Sequence, residues 1–172
     1  TERAMRGELD FEEALEARVA MLRGLPESVL EETFRERISL TPGARTLVLT
    51  MKKHGARAAL VSGGFTFFTG RVAEAAGFDY NDANTLLIEN GALAGAVAEP
   101  IRGRAAKEAA LIRLAGDYLI PLDETMAVGD GANDLAMLAT AGLGGALSAQ
   151  QGGGGAGRGS GGRGRPGPSQ GS

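Results

Sequence analysis

The sequence predicts an α/β fold: a parallel sheet covered by helices on both faces, preceded by a helical segment and carrying a small β-hairpin. Three observations carry that prediction. Short apolar runs without polar alternation, Ala56 to Val61 and Thr125 to Val128, alternate with helical stretches, and strands apolar throughout are strands buried on both faces. Residues 1 to 40, by contrast, show helical periodicity and an acidic character. Finally, Asn90-Gly91 stands between two β-prone runs, the strongest short hairpin signal available.

In chain order, Thr1 to Arg6 reads as the end of a helix stopped by Gly7, and Asp10 with Glu13 forms an Asp-x-x-Glu capping pair. That pair opens a second helix from Phe11 to about Arg23, closed by Gly24, with Phe11, Leu15, Val19 and Leu22 on one apolar face. Pro26 suits the first turn of a third helix reaching about Arg37. Thr41-Pro42 caps a helix through about His54, which beside Gly55 reads as a favourable C-terminal cation. The strand Ala56 to Val61 follows, then a helix from Thr66 to Ala76 ended by Gly77. Thr85 to Glu89 and Ala92 to Val97 form the hairpin, and Arg104 to Ala115 is helical. The strand Thr125 to Val128 and a helix from about Asn133 to Thr140 complete the pattern.

The 172 residues include 28 glycines, and 11 of these fall in residues 151–172 with three Arg, no acid and Ala156 as the sole apolar side chain. Such a composition cannot bury enough apolar surface to offset its ordering entropy, so the stretch from 149 to 172 is expected to be disordered. Three domains are thus expected: a helical segment over 1–40, an α/β core over 41–148 and this tail. Setting the tail's Arg aside leaves 15 basic against 21 acidic residues, a net charge of −6. A body of that sign argues against nucleic-acid binding, which needs a basic face. RNA binding stays open only as an alternative for the Arg-Gly tail, and three Arg without an aromatic give it thin support. The absence of Cys excludes a disulfide scaffold and a thiolate zinc site, and suits a reducing cytoplasm. No apolar run approaches the ~18 residues of a membrane span. Because Thr1 stands inside a helical pattern, the chain reads as a fragment or a processed product.

Two strand ends carry the residues with chemistry. After the first strand comes Ser62-Gly63-Gly64-Phe65, where a hydroxyl leaves the strand and two glycines let backbone N–H groups approach an anion ahead of a helix. The alternative is Ser62 as a cap in a tight turn. The second strand ends in Gly129-Asp130-Gly131-Ala132-Asn133-Asp134, two carboxylates and an amide able to face one hard cation such as Mg²⁺. A turn with a capped helix is the plainer reading of those residues. Lys107 lies near the start of its helix, slightly unfavourable for the helix dipole, which points either to an anionic partner or to a plain exposed lysine.

Ser62-Gly63-Gly64-Phe65, then Lys107, then Gly129-Asp130-Gly131-Ala132-Asn133-Asp134 resemble, in that order, the second to fourth motifs of the haloacid dehalogenase-like phosphatases. The narrower resemblance is to the phosphoserine phosphatases, supported by Ala4-Met5-Arg6-Gly7-Glu8-Leu9-Asp10-Phe11 with Arg18-Val19, which look like that family's helical cap. The likeness runs from about Thr1 to Gly144. It implies a Rossmann-like parallel sheet, incomplete here, with a helical cap insert. It also implies Mg²⁺-dependent hydrolysis of O-phospho-L-serine, a small-molecule substrate, through a phospho-aspartate.

Carried over by resemblance, Ser62 and the backbone of Gly63 hydrogen-bond the phosphoryl group, and Asn133 supports its side of the site. Lys107 neutralises charge, Asp130 ligates Mg²⁺, and Asp134 holds the metal's water or the Lys107 side chain. Met5, Phe11 and Arg18 line the cap, Arg18 pairing the substrate carboxylate; without the resemblance, Met5 and Phe11 read as ordinary packing.

The family's nucleophile is the first Asp of an Asp-x-Asp-x-Thr/Val motif on a strand ahead of the cap, and none of the 172 residues supplies it. The chain is therefore expected to be inactive by itself. After Gly144 the glycine- and arginine-rich ending departs from the family pattern as an out-of-frame ending would. The alternatives are a relative acting on another small phosphomonoester, a phosphotransferase, or a non-catalytic remnant.

Overall fold

The computed structural model describes residues 2–130 and 132–146; the side chains of residues 2–9, 132, 145 and 146 lie outside that description, as does the tail expected over 149–172. In chain order the elements are α1 Glu2–Ala20, α2 Ser28–Arg37, α3 Ala44–Lys53, β1 Ala59–Phe65, α4 Thr66–Ala76, β2 Tyr80–Asn84, β3 Leu86–Glu89 and β4 Ala92–Val97. Then come α5 Arg104–Asp117, β5 Met126–Gly129, α6 Leu135–Thr140 and β6 Leu143–Ala146, with 3-10 turns at Leu122–Glu124 and Ala132–Asp134. The α/β class stands, with parallel strand pairs and helices between them.

Several boundaries differ from the sequence expectation, each for a physical reason. α1 is one helix through Gly7 and Asp10, so neither the stop at Gly7 nor the Asp10–Glu13 cap exists. An interior glycine costs a helix only about 1 kcal/mol, and a long helix packed against β4 and α5 absorbs that. Pro26 is not helical: it bridges Ala92, and α2 begins at Ser28. β1 starts three residues late and runs on through Ser62, Gly63 and Gly64 to Phe65, so the expected glycine loop is extended strand. Its first residues are displaced because Ala58 is used elsewhere, donating its N–H to Asp79 Oδ2 at 2.9 Å while Asp79 N–H bonds Ala58 O. Lys52 from α3 closes on the same carboxylate at 2.7 Å, and this hydrogen bond holds the Asp79 carboxyl below its ordinary pKa. Two strands escaped the sequence pattern. β2 is polar, reading Tyr-Asn-Asp-Ala-Asn, and β6 is glycine-rich, so neither offers the apolar run by which a buried strand is recognised.

Two regions result. In the first, the β3–β4 hairpin turns at Asn90 and Gly91, both at positive φ as a primed turn demands. The hairpin closes over α1 and α2 to bury Val19, Leu30, Leu86, Leu93 and Val97 together. The segment between the two helices joins it through Gly24 N–H to Leu93 O, Leu93 N–H to Leu25 O and Glu27 N–H to Gly91 O.

In the second region the parallel sheet is divided. β1 pairs only with β2, and β5 only with β6, among the described residues. Between the two pairs lies a groove of about 500 Å³, walled by Leu60 and Val61 of β1 and Met126 and Val128 of β5, with Leu47 of α3 and Leu114 of α5 closing it. Met126 and Val128 are each 43% exposed. The sequence expectation of a buried second strand fails here because, among the described residues, that strand has no neighbour on its groove side.

Candidate active site

The C-terminal ends of β1 and β5 meet at a second cavity. Gly63 of β1 and Asn133, just beyond β5, line a pocket of about 390 Å³ together with Phe11 and Arg18 of α1. In open parallel sheets ligands bind in such crevices beyond the carboxyl ends of the strands. The ring of Phe11 lies so close to Gly63 that a Cβ there would stand 3.1 Å from ring carbon Cζ. Residues distant in the chain thus become neighbours: the helix α1 covers the end of β1.

Beside the pocket, Lys107 Nζ meets Asp134 Oδ1 at 2.5 Å, and Asp134 is only 3% exposed. The other oxygen, Oδ2, accepts the backbone N–H of Asp130 at 3.0 Å. Lys107, whose position near a helix start pointed either to an anionic partner or to solvent, therefore has an anionic partner. The arrangement depends on Gly129, since a Cβ at that position would stand 2.5 Å from Cβ, Cγ and Oδ2 of Asp134. Asp130 itself is exposed at the strand tip. Its carboxylate is a hard oxygen donor of the kind Mg²⁺ takes, and one or two such groups with water and phosphate oxygens are what that ion commonly uses. No cluster of three or more His, Asp or Glu side chains exists among the described residues.

Ser62, within β1, accepts the Gly64 N–H on its Oγ at 3.0 Å, which leaves its hydroxyl proton to be donated. It precedes Gly63 but does not line the pocket. The side chain of Met5 lies outside the described residues, as does Gly131.

Three residues near the pocket were missed. Asp10 and Arg104 line it. The signals were present: Asp10 adjoins Phe11, and Arg104 lies one helical turn ahead of Lys107. The third is Asn84, 1% exposed at the end of β2. Its Nδ2 donates to Gly63 O at 3.0 Å and Arg102 O at 3.2 Å, and its Oδ1 accepts Arg102 N–H at 2.6 Å. It ties β1 to the segment that leads into α5, and no local pattern announced it.

The model of the haloacid dehalogenase-like hydrolase family matches residues 2–139. The chain belongs to this family. Among haloacid dehalogenase-like relatives, a phosphoserine phosphatase of Streptomyces coelicolor is 51% identical over 150 residues, covering 87% of this chain and 36% of its own length. The crystal structure of a probable phosphoserine phosphatase from Vibrio cholerae superposes with a TM-score of 0.75 at 45% identity, covering 84% of this chain and 44% of that one. A structure described as a phospho-aspartyl intermediate analogue of phosphoserine phosphatase gives 0.73 at 40% identity, covering 83% and 68%. The chain spans less than half the length of several curated relatives it matches. Haloacid dehalogenase-like phosphatases generally use a divalent metal. Among the described residues of this member, no helix is long and apolar enough to cross a membrane.

Proposed function

We propose that this chain is the cap and part of the core of a phosphoserine phosphatase, cleaving O-phospho-L-serine to L-serine and phosphate through a phospho-aspartate on a strand the 172 residues do not include. The observation that carries the reading is the groove between β1 and β5. It is largely apolar, it is flanked by two strands whose groove-side edges are unpaired among the described residues, and it adjoins the pocket. Lys107 lines the groove and Arg104, one turn earlier on α5, lines the pocket, so a strand laid in the groove would end where Ser62, Gly63 and Asp130 stand.

Within that reading Arg18 grips the substrate carboxylate with its planar fork, and Phe11 covers the substrate from the cap side. The Gly63 backbone and the Ser62 hydroxyl donate to the transferring phosphoryl group, and Asn133 supports it from the β5 side. Lys107, held in place by Asp134, offsets developing negative charge. Asp130 is the residue that would hold Mg²⁺, whose contribution when bound is neutralisation of phosphate charge. Residues 1–40 serve as the cap and 41–148 as the core, and the enzyme works in the cytoplasm.

Phosphate release from O-phospho-L-serine with Mg²⁺ tests the reading. The chain alone is expected at background, and joining an upstream segment that bears Asp-x-Asp-x-Thr restores turnover. In that completed enzyme Arg18→Ala raises KM for carboxylated substrates; an unchanged KM would favour another small phosphomonoester. Full turnover by the chain alone, abolished by Asp130→Asn, would overturn the claim that the nucleophile is missing.

A further inference from the structure

Asn84 joins two parts of the site that the chain itself keeps apart. The ladder between β1 and β2 is regular up to Val61 opposite Asp82 and resumes at Phe65 opposite Asn84, so β1 advances four residues where β2 advances two. Ser62, Gly63 and Gly64 lie in that bulge, and two successive glycines have no side chains to restrain their own backbone. Neighbouring side chains restrain it instead. Asn84 Nδ2 donates to Gly63 O at 3.0 Å, and Ser62 Oγ accepts the Gly64 N–H at 3.0 Å. Those two backbone groups belong to one planar peptide unit, so turning it moves the carbonyl and the N–H together. The Asn84 amide thereby sets the direction from which the Gly64 N–H reaches Ser62 Oγ, and with it the direction left for the Ser62 hydroxyl proton.

The same amide also holds the approach to α5. Its Oδ1 accepts the Arg102 N–H at 2.6 Å and its Nδ2 donates to Arg102 O at 3.2 Å, two residues ahead of the start of α5 at Arg104 and five ahead of Lys107. With its donors turned to two carbonyls and its acceptor to an N–H, the carboxamide satisfies all three partners in this orientation alone. At 1% exposure it has no bulk water to replace a partner that is lost. Asp82 grips the Arg102 side chain at 3.0 Å, a second hold on the same segment that leaves the Gly63 carbonyl to Asn84. We propose that Asn84 is a positioning residue: one buried carboxamide fixes the Gly63–Gly64 peptide, and through it the Ser62 hydroxyl, relative to the helix that carries Lys107. The inference rests on the proposed function for the phosphate that Ser62 and Lys107 share. Asn84 does not touch that phosphate; it keeps the glycine tip out of backbone states that turn the Ser62 hydroxyl and the Gly63 N–H away from it.

The test is a titration of the intact 172-residue chain with inorganic phosphate, Mg²⁺ present, followed by backbone NMR. Asn84→Ala is expected to weaken phosphate binding about tenfold, the scale of one hydrogen bond to a charged group. It should also displace the Gly63 and Gly64 amide signals while those of the hairpin core stay in place. Ser62→Ala should weaken binding by a similar factor. Because the two act through one group, the double variant should bind about as weakly as the weaker single variant, whereas independent sites would lose about a hundredfold. Asp82→Asn, which removes the Arg102 ion pair, should leave phosphate binding and the Gly63 amide signal unchanged. Asn84→Asp keeps the size of the side chain and the acceptor for Arg102 N–H but, ionised, has no donor for Gly63 O. It should reproduce the loss seen with Asn84→Ala, alone and combined with Ser62→Ala, and it carries the test if the smaller side chain unfolds the chain. Additive losses in the double variants, or parent affinity in Asn84→Asp, overturn the inference while the phosphate site stands. Absence of phosphate binding by the unaltered chain overturns the phosphate placement itself, and the inference with it.

Discussion

The hairpin region and the divided sheet are built from the same kinds of residue and solve the burial problem differently. In the hairpin region α1, α2, β3 and β4 enclose Val19, Leu30, Leu93 and Val97, and the chain satisfies itself locally through the Gly24–Glu27 hydrogen bonds. In the sheet region no strand pairs with the facing edges of β1 and β5 among the described residues, and apolar side chains such as Met126, Val128 and Leu47 line an open groove. An edge strand with exposed apolar residues is a liability that folded proteins cover. The difference teaches that the hairpin region is close to self-sufficient, whereas the sheet region leaves apolar surface open among the described residues, surface that the proposed function fills with the nucleophile strand.

The largest expected effect lies in the closed region. Leu93→Ala should cost about 2–5 kcal/mol, the range for a large buried side chain replaced by a small one, read by urea unfolding. The second concerns the link from sheet to site. Gly129→Ala pushes a methyl into the Asp134 side chain, at about 1–3 kcal/mol for overpacking. The Lys107–Asp134 pair should be lost with it, and in a completed enzyme turnover falls with the pair. A structure of the variant with that pair intact would contradict the account. The third is a contrast with the first: Val128→Ala in this chain should change stability by about 0.5 kcal/mol or less, as for a surface site. The same substitution in the completed enzyme should cost several times more, because the groove is then filled.

The smallest effect is a pH dependence. Asp79 has a folded pKa below its unfolded value, chiefly through the Lys52 hydrogen bond. Its contribution is therefore present above the unfolded carboxylate value near ~4 and is lost as pH falls through the folded one. Melting temperature followed from neutral pH downward should decline less steeply below about pH 4 in Asp79→Asn than in the parent chain. Parallel curves for the two would remove Asp79 from the account.

The sequence made legible what local physics dictates. α4 ends at Gly77 as expected, the Asn90-Gly91 turn is where the motif put it, and the acids of Gly129 to Asp134 gather at a strand tip. It misplaced features decided by distant partners. The glycines after Val61 look like a loop, yet they are drawn into β1, where Asn84 bonds the Gly63 carbonyl. β2 is too polar to look like a strand and is one because it pairs with β1. In the pocket, Arg18 and Phe11 came from the resemblance to the phosphoserine phosphatases. Asp10 was assigned to a cap that the continuous helix does not have, and Asn84 carries no pattern at all. A helix boundary can be read from a few neighbours, whereas a site assembled from α1, β1, α5 and the β5 turn depends on contacts that span the chain.

Hydrogen exchange at β1 and β5 bears most directly on the claim that the groove receives the strand with the nucleophile. In the chain alone the amides of β1 and β5 that point away from β2 and β6 should exchange readily, while amides in the hairpin core stay protected. On joining a segment with apolar residues around Asp-x-Asp-x-Thr, the β1 and β5 amides should slow by at least about a hundredfold as phosphate release appears. Activity returning with the β1 and β5 amides still exchanging freely would contradict the claim.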